Sequence, residues 1–481
     1  MVIPSKSHVA LLASPGFGHL IPVIELAKRL VTVHSFSATV FVVTTNPSPA
    51  ESQLLQSAAS ANLFDIAVLP HVNLTFPPET DIVTRMAVMM REALPSLHSS
   101  IAGMTHRPTA LIVDLFGTEA IKIADEFDML KYVFIASNAL FLAFTVYFPF
   151  MGKIEKDEPL ILPGCNPVPF ENLNEIAFHP EAQGYQEYIR IGLEIPTANG
   201  VIVNTWEDLE GKTLCSFKSN EIMKAVIKIP VHAIGPLVRR APSADSKSAV
   251  IEWLDMQPNE SVVYVSFGSG GTLTTQQTIE MAWGLELSQQ RFIWVVRPPI
   301  DYDASASLYF ESKDDKSDGG GISRYLPDGF LARTSDLGRV VPMWAPQEEI
   351  LAHPATGGCI SHCGWNSTLE CLVHGIPIIG WPLYAEQNMN ATMLTRDIGV
   401  AIRPTGQPSK VTVGREEIEK MVRKIMVDKE GATIRLKAKE LQKSGEKVSS
   451  KGGSSYDALS EIVKECEMNT LSQKAKFDIV P

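Results

Sequence analysis

The chain has 481 residues, enough for two or three domains, and its 45% hydrophobic and 20% charged content is that of a globular protein with a large core. A net charge of -12 argues against a nucleic-acid partner, which needs a basic surface, and against a polybasic membrane anchor. Six cysteines are too few for a disulfide framework in so long a chain and read as reduced, buried thiols of a cytoplasmic protein.

The opening MVIPSKSHVALLASPG has only a short apolar run that flows into a glycine turn, so it reads as a first strand at 8–15 rather than a signal peptide. After the turn at 16–19, LIPVIELAKRLV has apolar residues at helical spacing, with Lys28 and Arg29 placed late, where cations suit the helix dipole. ATVFVVTT is the next strand, and strand–helix–strand is the repeating unit of a parallel sheet. A strand at 64–69, a helix at 82–98 and a strand at 109–117 (TALIVDLFG) follow, and Asp114 is the one charge in that last run. AIKIADEFD is helical. Residues 132–151 carry no charge but include Ser137, Asn138 and Pro149. They read as a buried strand, an Asn138 N-cap and a core helix, because a membrane span would have no cap in its middle. With the strand VIVNT at 201–205, this completes a first α/β domain, 1–238.

PLVRRAPSADSKSAV changes the composition, and 239–250 reads as an interdomain linker. A second α/β domain, 251–455, then runs from the short helix IEWLDMQ through the strand SVVYVSFGSGG, the helix TTQQTIEMAWGLELS and the strand RFIWVVR. Residues 299–325 include ESKDDKSDGGG and read as an exposed polar loop. RVVPMW is a strand, NMNATMLTRDIG a helix, VAIRP a strand, and long charged helices follow. Residues 456–481 are expected to pack back on the first domain as a helix and tail, with NTLSQKAKFDIVP fraying at its end. The expected fold class is α/β, two Rossmann-like doubly wound domains facing each other across a cleft. The strand ends near 16–19, 114, 268–271 and 362–366 would then line it.

The chemistry concentrates in residues 344–387, WAPQEEILAHPATGGCISHCGWNSTLECLVHGIPIIGWPLYAEQ. Its middle reads as a strand, a glycine turn and a helix start, the geometry that holds a phosphate. The free amides near Asn366 and Ser367 can bind a diphosphate, His362 can add a donor, and Glu370, one turn on, can take ribose hydroxyls. The plainer alternative makes Asn366 and Ser367 helix caps and Glu370 a solvated acid. Trp344 is either a core tryptophan or a platform for a base, with the Ala345 backbone beside it. Glu386 and Gln387 could bond adjacent sugar hydroxyls. The turn containing Ser269 is a weaker phosphate signal. Cys359, Cys363 and Cys371, with His362 and His374, match no metal-ligand spacing, and no metal is expected. In the first domain, Asp114 needs a partner if it is buried. Either His19 supplies it, forming a base and its orienting carboxylate, or His19 is a helix-start residue and Asp114 a satisfied turn acid.

The 44-residue stretch 344–387, with its WAPQ opening, HCGWNSTLE centre and closing EQ, resembles the signature box of the plant family 1 UDP-glycosyltransferases. SPGFGHLIP, VDLFGTEA and VYVSFGSGGTL extend the resemblance over nearly the whole chain, closest to the group that glucosylates small phenols such as hydroquinone and monolignols. The resemblance implies the GT-B fold and a UDP-glucose donor with no separate cofactor. It implies that Trp344 stacks uracil, Ala345 and Gln347 contact base and ribose, and Glu370 holds the ribose. His362, Asn366, Ser367 and Ser269 would hold the diphosphate, and Trp365, Glu386 and Gln387 would contact the sugar. A final Gln, as at Gln387, tends to accompany glucose in that family. It also makes His19 the catalytic base and Asp114 its support. Leu115, Phe116 and the apolar stretch 138–150 are candidates to line the pocket of a small phenolic acceptor. The chain is expected to act as a monomer.

Two other readings stand beside this one. A nicotinamide oxidoreductase would suit two dinucleotide-like halves, but SPGFGHL lacks the three-glycine fingerprint and no acid ends ATVFVVTT. A non-catalytic sugar-nucleotide binder would be expected to have lost His19 or Asp114, and the chain has both.

Overall fold

The computed structural model describes residues 7–44, 49–70, 74–77, 79–152, 154–239, 248–301 and 321–477. Residues 240–247 of the expected linker and 302–320 of the expected polar loop lie outside the described residues. The chain forms two compact units, one from within 1–167, 176–238 and 447–481, the other from within 168–175 and 239–446.

The first unit is built on a seven-stranded sheet: β1 (His8–Ala13), β2 (Ser37–Val42), β3 (Asp65–Val68), β4 (Ala110–Asp114), β5 (Leu130–Ile135), β6 (Gly200–Val203) and β7 (Val231–Ala233). The strands run parallel in the order β3-β2-β1-β4-β5-β6-β7. Parallel sheets are covered on both faces, which is why β1, β4 and β5 read as near-continuous apolar runs. Leu11, Val40, Ile112 and Phe134 pack with Leu20, Ile24 and Ala27 from the helix Phe17–His34.

The charge-free stretch after β5 divides as its residues suggest. The Asn138 side chain accepts from the Phe141 amide at 2.8 Å and caps the buried helix Ala139–Tyr147. Among the described residues no helix is long and apolar enough to cross a membrane. Two expectations are corrected. The strand expected over 109–117 stops at Asp114 and gives way to a 3-10 helix, Leu115–Ala120. Gly117 makes this turn possible by lying against Leu12 and Met90, where a Cβ would be 3.2 and 3.3 Å from their side chains. The tail expected to fray from 469 is instead helical as far as Phe477, because Ser454–Phe477 is one helix, and residues 478–481 lie outside the described residues. Its Leu459, Ile462 and Cys466 enter the first unit's core, and Thr470, next on that face, puts its hydroxyl 3.0 Å from that of Thr109.

The second unit has six parallel strands: β8 (Val262–Ser266), β9 (Arg291–Val296), β10 (Gly338–Pro342), β11 (Thr356–Ser361), β12 (Ile378–Gly380) and β13 (Ala401–Ile402). Their order is β10-β9-β8-β11-β12-β13. Val263, Trp294, Ile360 and Ile379 pack with Met281, Leu285, Ile418 and Val422 from the helices Thr275–Ser288 and Arg415–Met426. In both sheets the chain reverses direction once, between β1 and β4 and between β8 and β11. Such a reversal opens a crevice beyond the carboxyl ends of the two strands, where doubly wound sheets bind ligands.

One buried charge shapes the first unit away from that crevice. Glu210, 4% exposed, accepts from the amides of Ala139 and Leu140 at 2.9 Å each and so completes the cap that Asn138 begins. Its backbone leaves helical geometry to do so, at φ -133° and ψ 34°. Glu210→Ala leaves two buried amides without an acceptor, at a cost of about 1–3 kcal/mol each. Thermal unfolding should show Tm lowered by about 2–4 °C per kcal/mol, with Glu210→Gln recovering at most half of it, because its NH2 replaces one of the two accepting oxygens with a donor. An unchanged Tm in the alanine variant would remove this cap from the account.

Candidate active site

The reversal point of the first sheet carries His19 and Asp114. The helix after β1 begins at Phe17, so His19 lies in its first turn rather than at the end of a glycine loop. Gly16 precedes it at φ 93°, a backbone state that favours glycine, and its carbonyl accepts from the His19 amide at 3.1 Å. Asp114, the last residue of β4, is fully buried, and its Oδ2 lies 2.9 Å from Nδ1 of His19. The imidazole is 29% exposed, so one ring nitrogen faces a carboxylate while the other side of the ring meets solvent. Phe116 sets its ring edge-on to the imidazole with centroids 5.4 Å apart, and Leu115 is buried beside it. His19 is a helix-start residue, as the plainer alternative has it, but Asp114 lies in contact with it rather than being satisfied separately.

The reversal point of the second sheet carries the turns after β8 and β11. His362 ends β11's run, and its ring is held between two glycines. A Cβ on Gly268 would sit 2.6 Å from Cε1 and Nε2 of the ring, and one on Gly364 would sit 2.4 Å from Nε2. Burial pushes the imidazole down to about 4, so it is neutral at working pH, and its Nδ1 is buried without a hydrogen-bond partner among the described residues. The helix Trp365–Val373 starts immediately after, with Gly364 as its N-cap and no side-chain cap. The amides of Trp365, Asn366 and Ser367 therefore open this helix and point along its positive end. Ser269 is exposed in the β8 turn, and its carbonyl accepts from the Arg297 guanidinium.

Glu370 lies one turn into the helix and is not a solvated acid. It is 9% exposed, and burial pushes its carboxyl up to about 7 against the downward pull of a Gln347 hydrogen bond and of Arg239. The Gln347 amide donates to Glu370 and, at 3.0 Å, to the Ser367 hydroxyl. Trp344 is 63% exposed, which rules out the core reading, whereas Trp365 is 3% exposed and Ala345 is buried. Gln387 is also buried, and its Oε1 accepts from the amides of Leu383 and Tyr384 at 2.9 and 3.1 Å. Glu386 beside it is half-buried.

Several residues that build these turns carry no sequence signal of their own. Asn390 donates to the Cys363 carbonyl at 2.9 Å, and Tyr264, in mid-strand, donates to Gln347 at 3.3 Å. The cysteines Cys359, Cys363 and Cys371 are free and buried, and among the described residues no group of three or more His, Cys, Asp or Glu is placed to hold a metal ion.

The geometry is thus a polarised imidazole in one unit and an anion-receiving turn with a buried carboxylate in the other. The sequence model of the family described as "UDP-glucoronosyl and UDP-glucosyl transferase" matches residues 234–431. An anthocyanidin 3-O-glucosyltransferase 5 from Manihot esculenta is 48% identical over 480 residues, covering 98% of each chain. A hydroquinone glucosyltransferase from Rauvolfia serpentina is 39% identical over 474 residues, covering 96% of this chain and 98% of its own. The crystal structure of TcCGT1 in complex with UDP matches with a TM-score of 0.88 at 42% identity, over 97% of this chain and 100% of that one. Likeness at this level spans both α/β units and leaves no place for the nicotinamide reading. The chain belongs to the plant family 1 UDP-glycosyltransferases, enzymes of the GT-B fold that take their sugar from a UDP-linked donor.

Proposed function

We propose that the protein transfers glucose from UDP-glucose, with inversion, to a hydroxyl of a small phenolic acceptor and releases a β-O-glucoside and UDP. The observation that carries this reading is the 2.9 Å contact between Nδ1 of His19 and the buried carboxylate of Asp114. It fixes the ring so that Nε2 is the nitrogen available to a substrate. His19 takes the proton of the acceptor hydroxyl. The oxygen forms its bond to the anomeric carbon on the face opposite UDP as the bond to the diphosphate breaks. Asp114 offsets the positive charge that forms on the imidazole. The electron pair leaves on the diphosphate, where His362, Ser269 and the amides of Asn366 and Ser367 receive it.

On the donor side, the exposed Trp344 offers a stacking face for the base, Ala345 a backbone contact and Gln347 a polar one. Glu370 accepts from the ribose hydroxyls. Trp365, Glu386 and the Gln387 amide face the sugar, and a glutamine at this position suits glucose. Phenols are favoured as acceptors by the apolar surroundings of His19, where Phe116 and Leu115 lie, and by the names of the anthocyanidin and hydroquinone relatives. The dyad and the donor residues lie on one chain, so we propose that a monomer suffices.

The defining experiment incubates purified protein with UDP-glucose and a panel of phenols and reads product mass. His19→Ala should lower kcat by about 10²–10⁴-fold, the usual worth of a general base, while UDP binds with unchanged Kd. Full activity in that variant would sink the assignment. Asp114→Asn should damage turnover in the same way with UDP affinity intact, and activity should survive a chelator.

Glu370 supplies a pH test. In the free protein its carboxyl is raised from 4.5 to about 7 by burial. A carboxylate accepts ribose hydroxyls better than the acid does, so UDP affinity should rise as pH climbs through about 7. Its effect on stability runs the other way. A raised folded value means the contribution is full below the unfolded value and is lost as pH rises through about 7. Glu370→Gln should flatten the UDP response in calorimetric titrations. A wild-type Kd that is level across neutral pH would count against the ribose role.

A further inference from the structure

Tyr264 sits in the middle of β8, 1% exposed, among apolar residues that would accept a phenylalanine equally well. A buried hydroxyl is costly unless it is bonded. This one donates to Oε1 of Gln347 at 3.3 Å. Ser266 lies two residues along the same strand face. It accepts from the amide of Gly268 at 3.4 Å. Gly268 is the glycine that lies against the His362 ring. Gln347 itself donates to Ser367 and to Glu370. A line of hydrogen bonds therefore runs from Glu370 through Gln347 to Tyr264, and Ser266 on the same strand reaches the Gly268 turn separately.

We propose that Tyr264 is a positioning residue for the donor nucleotide, its hydroxyl setting the orientation of the Gln347 amide that meets the nucleoside. The inference rests on the donor-site reading above. Its physical content is the orientation of one amide. Gln347 has a carbonyl on one side and an NH2 on the other, and Glu370 when ionised accepts only. With Tyr264 donating to Oε1, the NH2 is left facing Glu370 and Ser367. A reversed amide would set its oxygen against the carboxylate and its NH2 against the phenol. Burial raises the Tyr264 hydroxyl well above its ordinary value, so it remains a donor throughout the working range.

The test uses the full-length protein and calorimetric titration with UDP and with uridine. Tyr264→Phe keeps the ring and the packing and removes only the hydroxyl. UDP and uridine should both weaken by about 3–10-fold, the worth of one buried hydrogen bond. The acceptor KM, and kcat at saturating UDP-glucose, should stay near wild type. Ser266→Ala removes the hydroxyl that accepts from Gly268 and leaves the Tyr264–Gln347 bond in place, so uridine should bind as before. A purely structural tyrosine would lower Tm in Tyr264→Phe and leave both Kd values unchanged, and that result overturns the proposal. If the wild-type protein itself bound no UDP, the donor-site reading would fall and the inference with it. If the wild type binds and Tyr264→Phe binds equally well, the inference alone falls.

Discussion

Asp114 is a carboxylate taken wholly out of water at the end of a buried strand, and a charge in that position costs several kcal/mol unless something answers it. The answer is an imidazole 2.9 Å away, and much of the first unit's local structure follows from delivering it there. Gly16 adopts a left-handed backbone so that the helix can start at Phe17 and bring His19 over β4. β4 itself must stop at Asp114, because a continuing strand would carry Leu115 and Phe116 away from the ring they now flank. The 3-10 helix that replaces it is pinned by charge. Arg91 bonds both oxygens of Glu119, at 3.0 and 2.9 Å, and reaches Glu187, while Arg190 bonds Glu187 at 2.8 Å. These pairs are part-buried and linked, with Arg91 bridging two carboxylates and Glu187 meeting two guanidinium groups, a network that fixes geometry more than an isolated surface pair does.

The second unit meets its own constraint with backbone strain. Met343, Cys363 and Ala385 all have positive φ, at 60°, 62° and 55°, and none is glycine. Each stands just before a place where the candidate donor site presents itself: Trp344, the Gly364–Trp365 helix start, and Glu386. Strain of this sort persists only where surrounding bonds over-determine it. Met343 is tied to the Val296 carbonyl at 2.9 Å, Cys363 to Ser361 and Asn390, and the turn at Ala385 to the Gln387 side chain. Gln387 therefore has a structural duty besides any contact with a sugar.

Much of this was legible in the sequence, and the reason is the parallel sheet. Strands covered on both faces must be apolar throughout, so VVYVS, RFIWVV and ALIVD announce themselves, and the turns that follow them mark the strand ends where ligands bind. A lone acid in such a run, as at Asp114, is informative because burial makes it expensive. The end of β4 was not legible, since Leu115 and Phe116 are as apolar as the strand before them and the cue was the packing of Gly117 on Leu12 and Met90. The helices Gln183–Glu194 and Glu207–Ser219 carry mixed charge whose partners, Arg91 and the Ala139 amide, lie far off in the chain. The last turns of the final helix hid for a similar reason. Its anchoring face spells Leu459, Ile462, Cys466 and Thr470, too sparse a stripe to read without the core it enters. Tyr264 looked like one more strand aromatic because a hydroxyl's bonding partners are not written beside it.

The two units share one device, a strand, a tight turn and a helix start, and use it in opposite electrical senses. In the second unit the helix opening at Trp365 presents the positive end of its dipole, which suits an anion directly. His362 adds a neutral ring and no competing charge, since burial keeps it unprotonated. In the first unit the same helix end faces a histidine that must become a cation in the proposed reaction. The dipole opposes that cation, so the unit has to supply a fixed negative charge nearby, and it must be buried to act at full strength. Asp114 is that charge. The expensive carboxylate is therefore the condition under which a helix start, built by default to hold an anion, can carry a base instead.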